Sequence, residues 1–325
     1  MDVVDRAREI ADDVLFPAAL ATDAADMVPR EILDTLADAG LYGSALDVDF
    51  PTVCTVQEAL ASGCLTTAFL WAQHLGLVHA LAMSGDEELR ARWLERLARG
   101  EVRAGLALGG ALPRPTLHAR ADDGGWVLDG ASSFVSGWGR IDVVHTAARV
   151  GDEVVWLIVD AQEAPGLGVE RLRLAVLDAT ATVRASFDGL AVPGDRVTGS
   201  HPAGGTTPPE VLRLHAALAL GVASRCCLLL GPSPFDDELG ACRAQLDRLD
   251  PETIFGDRAA AGELAVRAAA ALSVARGSRA VLADDHAQLL AREALFTLVY
   301  ALRPASKDAL LARLQARSAK EHRTP

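Results

Sequence analysis

Between about residues 103 and 198 the sequence changes texture, and that change limits the architectures open to the chain. Within this block, apolar and polar residues alternate with a period of two in short runs divided by turn residues. DDGG precedes WVLDG, VVHTAARV is followed by GDE and then VVWLIVD, and ATVRASFDG alternates along its length. On either side the apolar residues instead recur at three- and four-residue steps. Helices, then strands, then helices is the order of an α+β multidomain fold. The expected modules are an N-terminal α-helical domain over 1–103, a middle antiparallel β-sandwich or barrel over 104–199, a Gly/Pro/Thr linker over 200–209 and a C-terminal helical bundle over 210–325.

The flanking segments carry their own signals. GDEELRARWLERLARGE puts Leu89, Trp93, Leu94 and Leu97 on one face behind an acidic first turn. REILDTLADAG ends at Gly40, a natural helix stop, and Thr66 to Met83 reads as a helix apolar all round, hence internal. Beyond Glu210, three or four Ala- and Leu-rich helices are expected, with apolar faces wide enough for a bundle and an oligomer. The most apolar stretch, Leu214 to Leu230, is interrupted by Arg225 and reads as a buried helix, short of a membrane span.

Charge narrows the function. With 31 basic and 44 acidic residues the net charge is −13, which repels phosphate backbones and anionic membranes. The N-terminus lacks the basic and apolar regions of a secretory signal. Cys54, Cys64, Cys226, Cys227 and Cys242 form no CxxC pair and fit reduced thiols in a cytoplasmic protein, with no metal implied. Trp71, His74 and His79 fall on one apolar helix and read as core residues. Asp284, Asp285 and His286 point in different directions on a helix and read as its start or as a solvated face. No nucleophile-elbow motif accompanies any serine.

Five local stretches, in this order, resemble the acyl-CoA dehydrogenase family. They are DAADMVPREILDTLADAGLYG at 23–43, GDEELRARWLERLARGE at 85–101, WVLDGASSFVSGWGRIDVV at 126–144, FDGLAVPGDRV at 187–197 and REALF at 292–296. The resemblance covers nearly the whole chain and implies that fold. It also implies FAD, an acyl-CoA substrate, and a chemistry in which a glutamate removes an α-proton while hydride passes to flavin.

Carried over residue by residue, the family's motifs are incomplete. Counting from Arg292, the family's Tyr-Glu-Gly-Thr falls on Tyr300, Ala301, Leu302 and Arg303, so alanine stands at the usual base position. An alternative base position on the first long C-terminal helix falls on Val211, with Glu210 beside it, and Glu210 also reads as an ordinary helix N-terminal acid. The Arg-x-x-Phe-Gly segment that reaches FAD becomes Pro232 to Asp236, with Arg243 in place of a glutamine. The Gln-x-x-Gly-Gly-x-Gly stretch falls on Val274 to Ala280 and keeps only Gly277. In the middle module, Phe134-Val135-Ser136-Gly137 matches Trp-Ile-Thr-Asn, so Ser136 keeps the hydroxyl at the flavin edge, Phe134 keeps an aromatic surface, and Trp138 adds a ring. The loop Leu108 to Pro113 has lost the family's Glu-Pro and Gly-Ser-Asp pieces.

The resemblance thus implies a shortened, actinobacterial-type member that acts as a subunit supporting flavin-dependent α,β-dehydrogenation of an acyl-CoA. Its FAD is expected to be weakly bound, shared with a partner, or absent. The partner is an acyl-CoA dehydrogenase-like subunit or a second copy, in a tetramer. The other reading is a self-sufficient flavoprotein on the same fold, either a dehydrogenase using Glu210 or a flavin-dependent monooxygenase.

Overall fold

The structure is a computed structural model that describes residues 2–320, with side chains as far as residue 315. Six helices come first: α1 (Val3–Ile10), α2 (Phe16–Ala24), α3 (Arg30–Asp38), α4 (Phe50–Gly63), α5 (Leu65–Ala82) and α6 (Glu87–Ala98). The strands are β1 (Ala104–Ala107), β2 (Leu117–Asp122), β3 (Gly125–Val135), β4 (Val143–Val150), β5 (Glu153–Asp160), β6 (Leu167–Arg171), β7 (Val183–Pro193) and β8 (Val197–Pro202). Then follow α7 (Pro209–Leu230), α8 (Pro234–Leu246), α9 (Ile254–Arg276), α10 (His286–Val299) and α11 (Pro304–Lys320). The order of helices, strands and helices is the expected one.

Contacts group these elements into two compact units, and the N-terminal helices are divided between them. One comprises Met1–Asp23, Phe50–Ala68 and Thr207–Pro325; the other comprises Ala24–Asp49 and Phe69–Thr206.

The first unit is helical, with α7 packed against α4, α8, α9 and α10. Gly63 lies so near the π-helical turn Ala11–Leu15 that an added Cβ would stand 2.7 Å from the Ala11 carbonyl oxygen. At Gly221 of α7 it would stand 2.5 Å from Ala61 Cβ. Two backbones approach here because neither glycine has a side chain. Arg225 explains its own presence in an apolar helix: Nε donates to the Ser62 carbonyl at 2.6 Å, Nη2 donates to Asp12 at 2.5 Å, and the guanidinium lies 4.2 Å from the Phe16 ring centroid. Starting at Pro209, α7 has 22 residues, long and apolar enough to cross a membrane by length and composition, more than the sequence reading allowed. Yet 72% of its most apolar window is buried in the protein, which makes it a core helix. Among the described residues five helices follow the sheet, not three or four. Gly231, with φ +78°, ends α7, and a capping box of Ser233 and Asp236 starts α8.

The second unit is built on an eight-stranded sheet in the order β6-β7-β3-β2-β4-β5-β8, with β1 attached to β4. Most pairs are antiparallel; β1–β4 and the single β2–β4 bridge are parallel. Leu128, Val135, Val155, Leu157, Val183 and Phe187, drawn from both halves of the sheet, share one apolar core, as a sandwich or barrel requires. On the outer face, Leu77, Val78 and Leu81 of α5 and Leu89, Trp93 and Leu97 of α6 cover Val143 and Ile158. β8 continues through Pro202, paired with Glu153, so the first residues of the expected linker belong to the sheet.

Candidate functional site

The sheet carries its unusual chemistry where β3 ends. Pairing with β7 slips between Ser132 and Val135, so Ser133 and Phe134 oppose one residue, Arg184. Phe134 takes φ +62° and is 68% exposed. A bulky L-residue in the left-handed region costs about 1–2 kcal/mol, and an exposed ring gives nothing back through burial.

Ser136 turns the other way. Its hydroxyl is buried, 2.7 Å from Thr182 Oγ1, which is 2.7 Å from Thr180 Oγ1, and Thr180 donates to the Leu177 carbonyl at 2.7 Å. Each hydroxyl has one proton. Thr180 gives its proton to Leu177, so Thr182 must donate to Thr180, and Ser136 must donate to Thr182. Ser136 therefore has lone pairs to offer and no proton. The relay sits between Leu177 and Ala181, at φ +59° and +50° on either side of Asp178–Thr180, and Gly137 N–H donates to the Thr180 backbone carbonyl at 2.6 Å. Trp138, half-buried, packs onto the sheet core. Gly109 N–H donates to Ser132 at 3.2 Å, and a Cβ at Gly110 would meet the Ala148 backbone at 2.4 Å, so this Gly pair serves close packing of the sheet.

In the helical unit the sequence-predicted residues stand as follows. Glu210 is an exposed acid in the first turn of α7, the role of an ordinary helix N-terminal carboxylate. Ala301 lies in the turn from α10 to α11 at φ +48°, directly after Tyr300, whose carbonyl accepts a hydrogen bond from Arg258. Gly277 is the exposed stop of α9, at φ +61° with nothing near its absent Cβ; its glycine is explained by the helix end alone. Arg292 is engaged with Asp23 at 2.6 Å and with Gln288 at 2.8 Å, and Arg243 pairs with Glu58. A cavity of about 780 Å³ between α8, α9 and α11 is lined by Glu238, Cys242, Phe255, Asp257 and Arg313, and none of the sequence-predicted residues lines it.

Other titratable groups resolve into structure. His74 Nδ1 accepts from Ala104 N–H at 3.1 Å and Trp71 Nε1 donates to the Leu41 carbonyl at 3.1 Å, as core residues do, whereas His79, expected in the core, is exposed on the same helix. Burial holds His74 and His145 down at about 3. Asp285 caps α10, accepting from Ala287 N–H. All five cysteines are unpaired and buried, and burial raises their thiol pKa values, so none is a ready nucleophile. Among the described residues no group of His, Cys, Asp and Glu is placed to hold a metal ion. Sequence reasoning missed the Thr180–Thr182 relay, Arg258, and Glu293, a 2% exposed carboxyl that burial pushes up to about 8. The Thr-Ala-Thr spacing hinted at two hydroxyls on one strand face; nothing local marked the other two.

A mixed eight-stranded sheet preceded and followed by helices is the arrangement of solved acyl-CoA dehydrogenases. The glutaryl-coenzyme A dehydrogenase structure in complex with glutaryl-CoA superposes with a TM-score of 0.84 over 97% of this chain and 94% of that one, at 16% identity. A family model described as acyl-CoA dehydrogenase, N-terminal domain, matches residues 1–101. Benzylmalonyl-CoA dehydrogenase of Aromatoleum aromaticum is 25% identical over 68% of this chain and 64% of its own length. Acryloyl-CoA reductase (NADH) of Anaerotignum propionicum is 24% identical over 63% and 57%. The matches thus span less than two thirds of either relative. The match over the N-terminal third, the similar dehydrogenases and the shared fold support the acyl-CoA dehydrogenase family.

Proposed function

We propose that this chain is a non-catalytic subunit of a cytoplasmic acyl-CoA dehydrogenase-like assembly, supporting the α,β-dehydrogenation of an acyl-CoA whose base and principal FAD contacts come from a partner subunit. The observation that carries this reading is the residue at the usual base position. Ala301 has a methyl group, which accepts no proton, and it follows a carbonyl already held by a guanidinium. Glu210 is an exposed carboxylate in the first turn of α7, the place of an ordinary helix N-terminal acid.

The residues present do not fit a tightly held flavin. Ser136 has no proton to donate, Gly277 is an isolated helix stop, and Pro232 replaces the arginine that the family directs at the cofactor. Each lost charge-assisted hydrogen bond weakens a pyrophosphate site by about 1.5–3 kcal/mol. Expression of the chain alone and together with a second acyl-CoA dehydrogenase-like chain tests the assignment. A stable, flavin-containing hetero-tetramer whose turnover depends on the partner's glutamate supports it; partner-independent dehydrogenation abolished by Glu210→Gln refutes it.

One observation favours a second reading. The exposed, left-handed Phe134 is a suitable platform for a loosely held flavin, as in a self-sufficient flavoprotein: a dehydrogenase using Glu210 or a monooxygenase needing no base at 301. Phe134→Ala would lower flavin retention in that case and leave the subunit's assembly unchanged in the first.

A further inference from the structure

At the C-terminal end of α10, basic side chains gather without an acid. Arg258 of α9 is only 4% exposed; its Nη2 donates to the Tyr300 carbonyl, while its Nε is buried without an acceptor. No carboxylate pairs with it among the described residues, nor with Arg303, whose side chain makes no hydrogen bond or ion pair there. His215 of α7 meets the Tyr300 ring edge-on at 5.0 Å, and its Nδ1 is also buried without a partner. Burial first, then the charges of Arg258 and Arg303, keep this imidazole neutral, with its pKa held down at about 3.

The negative end of α10 contributes about half an elementary charge, against two full cations. An uncompensated buried guanidinium is costly, and the cost is relieved by an anion that reaches its open donors. The fork of an arginine matches a planar carboxylate, and a monoanion is cheaper to strip of water than a phosphate dianion. We propose that this corner, formed by Arg258, Arg303 and His215 beside Ala301, is a binding site for a carboxylate-bearing small molecule.

Thermal unfolding of the full chain tests this, with acetate, succinate or inorganic phosphate replacing chloride at constant ionic strength. Saturating carboxylate is expected to raise the midpoint by about 2–4 °C. Arg303→Gln, which alters a half-exposed side chain, should weaken the apparent affinity at least tenfold. Ala301→Glu brings a carboxylate of the chain's own to the corner, so it should raise the midpoint without ligand and remove the response to acetate. A response to acetate identifies a simple carboxylate as sufficient; a response to succinate alone identifies a dicarboxylate. If Arg258 serves only to cap α10, wild type will respond to neither, and Ala301→Glu will leave the midpoint unchanged. Either result overturns the site, as does a response to phosphate alone or an undiminished response in Arg303→Gln. These readouts are of binding, so they do not depend on whether the chain carries flavin.

Discussion

Glu293 makes the pH dependence of stability a sharp test of the buried electrostatics. Its carboxyl accepts the Leu65 N–H at 3.2 Å, at the start of α5, and is otherwise enclosed. Burial raises its pKa from 4.5 to about 8, the Leu65 hydrogen bond lowers it, and of the nearby charges Asp23 raises it while Arg292 lowers it. Between these values the unfolded chain releases a proton that the folded chain keeps. The group's contribution to stability is therefore full below about pH 4.5, falls as pH rises, and levels off above about pH 8. At about 1.4 kcal/mol per unit, the loss reaches about 5 kcal/mol. Glu293→Gln keeps an acceptor for Leu65 and removes the titration. Urea unfolding of both proteins from pH 5 to pH 9 should give a stability difference that grows with pH in favour of the glutamine variant. Taking the difference cancels every other titrating group. A difference that stays flat across this range would refute the assignment of a buried, protonated carboxyl.

The histidines act in the opposite direction. His74, His145 and His215 stay neutral down to about pH 3 in the fold, so each removes stability as pH falls below about 6.5, by about 2 kcal/mol at pH 5, measurable with His74→Gln by urea unfolding. Gly221→Ala should cost about 1–3 kcal/mol, because the new Cβ meets the Glu58 carbonyl oxygen at 2.5 Å where α4 crosses α7; denaturant midpoints check this. Phe134→Gly should leave stability unchanged or raise it by about 1 kcal/mol through relief of the left-handed backbone. Arg225→Met breaks the links to the exposed Asp12 and to the Ser62 carbonyl and should destabilise by about 1–2 kcal/mol, seen as a lower thermal midpoint.

The fold was legible where periodicity is strong. Leu89, Trp93 and Leu97 lie on the predicted buried face of α6, and the stop at Gly40 follows α3. Arg225 was read as an interruption, because its partners Asp12 and Ser62 are distant in sequence and no local pattern announces them. Residue identities also put alanine at 301, where the resemblance places a base. They did not show what surrounds it, since Arg258 and His215 arrive from α9 and α7. At the end of β3 the sequence located Phe134 and Ser136 but not their conformations. The bulge that exposes one and the threonine relay that turns the other inward depend on pairing with β7 and on the turn before it.

The central claim is that the chain keeps the family's fold without a working flavin and base constellation of its own. Titration of the purified chain with FAD, followed by visible absorbance and then by addition of an acyl-CoA, tests it most directly. Without a partner, the purified chain should bind no stoichiometric flavin and show no bleaching by acyl-CoA. A yellow protein that an acyl-CoA reduces by itself would contradict it.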